Sequence, residues 1–259
     1  MTQWLSGVAS IRPALWPESR ESSTAVGRSV AAEVAVCQVC EGPTHARFAL
    51  CYCCRVLVRQ LKMPLVPMVA VADYRIGDAL HRRLRGYKDA PVAEARRNCV
   101  AQLISLLDSW MEASGPQLRR RFGSGWDVVA TVPSSHRPSG APFDAVVSAV
   151  RALDGLHRPV LVRGPAPTGH LAADRRGFAL GPEVDRDWLR HQTVLVVDDS
   201  VVTGARAQSA AAALRLGGAR VAGVVAVGRV VAQKVGGRVS LQSPVPPSTA
   251  RTASALAVG

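Results

Sequence analysis

The run VLVVDDSVVTGARAQSAAAALRLGG, residues 194–218, constrains the fold more than any other stretch of the chain. It opens with four branched apolar residues in succession, which suits a strand covered on both faces. Two carboxylates follow, Asp198 and Asp199. A short loop leads into an alanine-rich helix over 207–216, which stops at Gly217-Gly218. Similar short Val-rich runs at 66–71, 127–132, 160–162 and 221–227 predict further strands. Between them Val92, Ala95, Cys99, Leu103, Leu106 and Trp110 recur at helical steps, as do Phe143, Val146, Val150 and Leu153. Strand and helix in alternation predict an α/β fold, a mostly parallel sheet flanked by helices. Ligands in such folds sit beyond the carboxyl ends of the strands.

That rule draws attention to the residues after Val197. Thr203 and Gly204 fall where backbone N–H groups face outward at a helix start, and glycine allows close approach of a phosphate. The adjacent carboxylates of Asp198 and Asp199 suit two neighbouring hydroxyls. A phosphate site beside a diol site describes a cradle for a ribose 5-phosphate. A phosphorelay receiver also carries paired acids at a strand end, but it needs a phosphoacceptor Asp further along. No Asp or Glu follows Asp199. The remaining alternative is a plain strand–turn–helix with solvated acids.

Cysteines cluster ahead of this body. Cys37 and Cys40 form one Cys-x-x-Cys knuckle, and Cys51 and Cys54 form a second. Four thiolates in two tight turns suit a tetrahedral structural zinc site with no open position. Cys53 can replace Cys54 by a one-residue shift. Buried thiols or disulfides are the alternative, and the absence of a secretory pattern argues against disulfides. Cys99 lies on the apolar face of a predicted helix and reads as core. A segment this small cannot bury enough apolar surface by itself, and metal binding would supply the missing stability.

The chain has 259 residues and a formal net charge of +13, with only Lys62, Lys88 and Lys234 as lysines among its 32 basic residues. That charge predicts attraction to polyanions such as nucleic acid or phosphorylated metabolites. No run is long and apolar enough for a membrane helix, and the first residues do not read as a secretory signal, so no membrane insertion and a cytoplasmic location are expected. The expected organisation is a flexible arm over 1–32, the four-cysteine zinc module over 33–62, the α/β domain over 63–239 and a disordered tail over 240–259.

The segment from Val194 to Arg206 resembles the ribose-phosphate signature of type I phosphoribosyltransferases: an apolar run, paired acids, two spacers and Thr-Thr-Gly. With the cysteine module in front and Arg85-Gly86-Tyr87-Lys88 before a long helix, the chain resembles the ComF/GntX family of phosphoribosyltransferase-like proteins over roughly 36–232. The resemblance implies a type I phosphoribosyltransferase-like sheet with a zinc-ribbon-like module. It assigns Asp198 and Asp199 to the ribose hydroxyls, and Ser200, Val201, Val202, Thr203 and Gly204 to the 5-phosphate. Pro133, Ser134 and Ser135 match the pyrophosphate loop. Lys88 matches a basic residue near the active site. Arg137 and Arg175 are further candidates for diphosphate oxygens. The family's first Thr is Val202 here, its last is Arg206, which places a cation near the phosphate, and its Arg-Gly-Phe-Asn segment is Ala141-Pro142-Phe143-Asp144. The implied chemistry is transfer from phosphoribosyl pyrophosphate with Mg²⁺ to a base or amine. The alternatives are a ribose-phosphate-binding protein without turnover, or a protein handling single-stranded DNA with the uptake machinery of competence. The Arg82-Arg83-Arg85 run suits the last of these, or a solvated helix face.

Overall fold

Val-rich runs make the centre of the molecule because β-branched side chains pack well on a pleated surface buried on both sides. The computed structural model describes residues 34–134, 142–231, 233–235 and 238–240, the last two as backbone. Four strands form one parallel sheet: β3 (Met68–Tyr74), β4 (Val128–Thr131), β7 (Thr193–Val201) and β8 (Arg220–Val230), in the order β3-β8-β7-β4. Alternation divides their side chains between two cores. Val69, Val71, Val129, Leu195, Val197, Val225 and Val227 face α2 (Ala79–Asp89), α3 (Ala93–Phe122) and α4 (Pro142–Ser148). Met68, Val128, Ala130, Val194, Val196, Val224 and Ala226 face α6 (Ala205–Leu216) and the hairpin of β5 (Leu161–Arg163) with β6 (Phe178–Leu180). Burying each such valine contributes about 1.5–3 kcal/mol over leaving it exposed.

Ahead of the sheet, β1 (Val34–Val36) and β2 (Pro43–His45) pair antiparallel, and α1 (Tyr52–Leu61) follows. Leu57 and Leu61 of α1 are buried against Ala205 and Ala212 of α6. A short helix α5 (Arg186–Arg190), capped by the Asp185 carboxylate, precedes β7. The chain after β8 forms a β9 (Gln233–Val235) and β10 (Arg238–Ser240) hairpin. Among the described residues no helix is long and apolar enough to cross a membrane.

Several sequence expectations shift. The first sheet strand starts at Met68 rather than at residue 66 and runs on to Tyr74. Pro67 has no N–H to donate, and its carbonyl instead accepts from the Val224 amide at 2.8 Å. Residues 160–162 lie in and next to the antiparallel β5–β6 hairpin, outside the parallel sheet. The face carrying Phe143, Val146, Val150 and Leu153 is not one helix: α4 ends at Ser148, and a single 3₁₀ turn, Arg151–Leu153, completes the packing. Helix α3 continues through Gly115-Pro116 to Phe122. That proline leaves the Glu112 carbonyl without its helical donor, and the buried Leu118 and Phe122 beyond it hold the last turns in place. The arm over 1–32 and nearly all of the expected tail lie outside the described residues.

The linker between the cysteine module and β3 is pinned by one buried side chain. Gln208 of α6 donates to the Val66 carbonyl at 2.8 Å and accepts from the Val66 amide at 3.1 Å. Gln208→Leu strands both backbone groups away from water. A loss of about 2–4 kcal/mol in unfolding free energy is expected, readable by urea denaturation.

Candidate functional site

Helix α6 opens directly from the end of β7, so the loop between them is short. The strand expected to end at its carboxylates carries on through Ser200 and Val201, which leaves Val202, Thr203 and Gly204 to make the turn. Gly204 has φ +81°, and a Cβ there would lie 2.6 Å from Met68 Cε, so no other residue fits without displacing that side chain. Thr203 is buried, and its hydroxyl accepts from the Ala205 amide at 3.4 Å at the helix start. Val202 is half-buried.

Asp198 follows Val194 and Val196 in the alternation of β7 and is only 5% exposed. Its Oδ1 accepts from the Asp199 amide at 3.0 Å. Burial, and then the neighbouring charge of Asp199, push its carboxyl up to about 7, against the opposing pull of Arg206 and Lys88. Asp199 turns toward α2. There the Tyr87 hydroxyl donates to Oδ2, and the Lys88 ammonium pairs with the same oxygen. Burial raises Tyr87 far above the usual phenol range, and the Asp199 charge adds to this, so it stays a donor. On the other flank Tyr74, at the end of β3, is hydrogen-bonded to Ser200 at 2.5 Å.

The second loop arrives from β4. Pro133 follows Val132, and the Arg206 guanidinium donates to the Pro133 carbonyl at 2.5 Å. Arg206 also lies 5.7 Å from the centre of the Phe178 ring. The fold therefore brings Lys88, Pro133, Asp198, Asp199, Ser200, Val201, Val202, Thr203, Gly204 and Arg206 to one edge of the sheet, around the carboxyl end of β7. Ser134 follows Pro133 and is half-buried. Ser135 and Arg137 lie outside the described residues. Arg175 is exposed, between Asp174, whose amide donates to Ser209 of α6, and Arg176, ahead of β6.

Tyr74 and Tyr87 are the residues that sequence reading missed. Tyr87 lies within the Arg85-Gly86-Tyr87-Lys88 run, three positions after Leu84, and is buried with it in the helix core. A signal was present: the chain has 3 tyrosines, and two of them sit at this edge.

The cysteines form a second centre. Cys37 and Cys40 lie in the turn between β1 and β2, where the Cys37 amide donates to the Gly42 carbonyl at 2.9 Å. Cys51 caps α1, and its sulfur accepts from the Cys54 amide at 3.5 Å. The sulfurs of Cys37, Cys40, Cys51 and Cys54 all lie within 4.8 Å of one another, and those of Cys40 and Cys51 are 3.7 Å apart. A tetrahedral zinc site with bonds of about 2.3 Å has sulfur–sulfur edges of ~3.8 Å, so the four can hold such an ion. Cys54, not Cys53, completes the cluster. Hydrogen bonding among the thiols, first from Cys40, holds Cys51 far below the usual range, whereas Cys40 is pushed up to about 12 by Cys51. A bound dication removes this conflict by deprotonating all four. Cys99 packs on the α2–α3 core, where its sulfur would lie 2.7 Å from a Cβ at Gly86.

The cysteine module is fastened to the sheet near the first site. The Met68 amide donates to the Val39 carbonyl at 2.7 Å. Arg229 of β8 pairs with Asp73 at 2.7 Å and donates to the Cys40 carbonyl at 2.5 Å. Arg121 of α3 pairs with Glu41 at 3.1 Å. In comparisons with known proteins, no family model and no curated sequence matches this chain.

Proposed function

We propose that the carboxyl edge of the sheet binds phosphoribosyl pyrophosphate with Mg²⁺ and supports transfer of the phosphoribosyl group to a base or amine. The observation that carries this reading is the convergence of two loops on one acidic pair. The turn at Val202, Thr203 and Gly204 offers a helix start to the 5-phosphate, and the Pro133-Ser134 loop lies across from it, tied by Arg206. Asp198 and Asp199, near the end of β7 just before the turn, would accept hydrogen bonds from the two ribose hydroxyls. The residues from 63 to 239 form the ribose-phosphate domain in this reading, and 33–62 form a structural zinc module.

Asp199 already holds Tyr87 and Lys88, so Mg²⁺ would be held mainly by diphosphate oxygens and water, as suits a hard cation that sheds water reluctantly. Bound there, Mg²⁺ would neutralise charge on the diphosphate. In the transfer, a bond forms between the acceptor nitrogen and the anomeric carbon, and the carbon–oxygen bond to diphosphate breaks. Diphosphate leaves with the electron pair, and the acceptor's proton passes to solvent. Positive charge grows on the ribose ring, and the carboxylates of Asp198 and Asp199 face it. Arg206 replaces a hydroxyl donor by a cation able to reach both loops.

Calorimetric titration of phosphoribosyl pyrophosphate with Mg²⁺ tests the reading. Wild type is expected to bind. The Asp198→Asn/Asp199→Asn double variant is expected to bind at least about a hundredfold more weakly, because two charge-assisted hydrogen bonds to the ribose are removed. Failure of folded wild type to bind overturns the proposal. Binding without product across an acceptor screen favours a binding protein lacking turnover.

The DNA-handling alternative draws on the exposed Arg82 and Arg85 of α2. Salt-sensitive single-strand binding that survives loss of Asp198 would support it.

A further inference from the structure

A cleft of about 510 Å³ is lined by α2, α3 and the first residue of α4. Tyr87 and Lys88, the two partners of Asp199, are among its lining residues. Arg96 and Arg97 of α3 also line it, and Val100, Ala101 and Ile104 of the same helix supply apolar surface. The described lining contains no acid.

The arginines stand in an unfavourable place for the fold itself. They occupy the first turns of a 30-residue helix, near the end where the macrodipole repels cations. Among the described residues neither has an ion-pair partner. Their charges instead add to the positive end of the helix dipole beside the cleft. This is a field for an anion.

The wall decides what kind of anion. A free diphosphate gains most from a dense shell of donors and nothing from Val100, Ala101 and Ile104. A flat apolar ring with one carboxylate uses both parts: the ring covers the aliphatic wall, and the carboxylate meets the guanidinium groups. We propose that this cleft is the acceptor subsite and that its ligand is a planar apolar anion, an aromatic or heteroaromatic carboxylate that carries the ring or amino nitrogen to be substituted. The inference rests on the ribose-phosphate reading for the word acceptor. The binding site itself does not need that reading. Lys88 joins the two, since it borders the cleft and pairs with Asp199.

The test uses naphthoate and its uncharged isostere naphthamide as probes, with the full chain and without any sugar phosphate. Saturation-transfer NMR and calorimetry read the binding. Naphthoate is expected to bind at least about tenfold more tightly than naphthamide, the difference between charged and neutral hydrogen bonds. Arg96→Gln/Arg97→Gln is expected to abolish the preference, and Ala101→Trp to block both probes by filling the cleft. All three positions are exposed, and circular dichroism checks that the variants fold. Equal binding of the two probes, or no naphthoate binding up to about 5 mM, overturns the proposal. Displacement of naphthoate by inorganic diphosphate also overturns it, by making the cleft a phosphate site. Loss of phosphoribosyl pyrophosphate binding with naphthoate binding intact removes the ribose-phosphate reading and leaves the anion site standing.

Discussion

Replacing Cys37 and Cys40 together by serine is expected to unfold the segment from Val34 to Leu61 and to weaken the carboxyl edge of the sheet with it. The segment has little core of its own: its buried side chains are chiefly the cysteines, Leu57 and Leu61. Binding of a structural zinc ion contributes about 10–16 kcal/mol in comparable small modules, which exceeds what those few side chains supply. The consequence travels by identified contacts. Val39 holds the Met68 amide, and Met68 packs on Gly204 at the turn after β7. Cys40 holds Arg229, which pairs with Asp73, the residue before Tyr74. Leu57 and Leu61 pack on α6 itself. Elemental analysis is expected to find one zinc ion per wild-type chain and none in the double variant. The melting temperature is expected to fall by roughly 10 °C or more, the effect of losing a few kcal/mol from a domain of this size. Strong chelators are expected to reproduce the loss in wild type. A metal-free wild type that melts at the same temperature with and without chelator would show that the four thiols need no ion.

The second large effect concerns Asp198 and pH. Its carboxyl is raised by burial from an ordinary 3.8 to about 7. Between those values the folded chain keeps a proton that the unfolded chain has lost. Stability therefore falls as pH rises through that window and levels off above it. Full ionisation costs the fold about 4 kcal/mol at most. Asp198→Asn keeps the shape and the oxygen that accepts from the Asp199 amide, and removes the ionisation. Urea denaturation is expected to find the variant equal to wild type near pH 4 and more stable by about 2–4 kcal/mol near pH 8. Parallel stability profiles for the two proteins across that range would disprove the burial argument. A stabilising substitution at the place where ligand binding is expected to be lost is the trade between stability and function found at binding sites.

The carboxylate pair, the glycine after it and the four cysteines were legible because each is local. Asp198, Asp199 and Gly204 lie on one strand and the turn that follows it, and their backbone path follows from the apolar run before them and the alanine-rich helix after them. The Cys-x-x-Cys knuckles need only a tight turn or a helix start to present two sulfurs together. The parallel sheet was legible too, since VLVV has apolar residues on both faces and demands cover on both.

What stayed hidden depends on elements distant in the chain. Nothing local tells the run at 160–162 from a sheet strand. Its place in a hairpin is set by residues 178–180, and the edge beyond β4 is taken instead by a single bridge between Val129 and His157. Helix α3 runs on through Gly115-Pro116 because the buried Leu118 and Phe122, packed on distant strands, outweigh the missing hydrogen bond. Tyr87 and Tyr74 became site residues only when α2 and β3 were laid beside the end of β7, 112 and 126 residues away along the chain. The choice of Cys54 over Cys53 has the same origin: adjacent residues on a helix point about 100° apart, so only one can meet the sulfurs of the first knuckle. By itself the sequence determined which groups carry charge, thiolate and backbone freedom, because these are properties of residues and their neighbours. Only the tertiary structure decided which of those groups face one another, because a contact between distant segments is selected by the packing of the whole core.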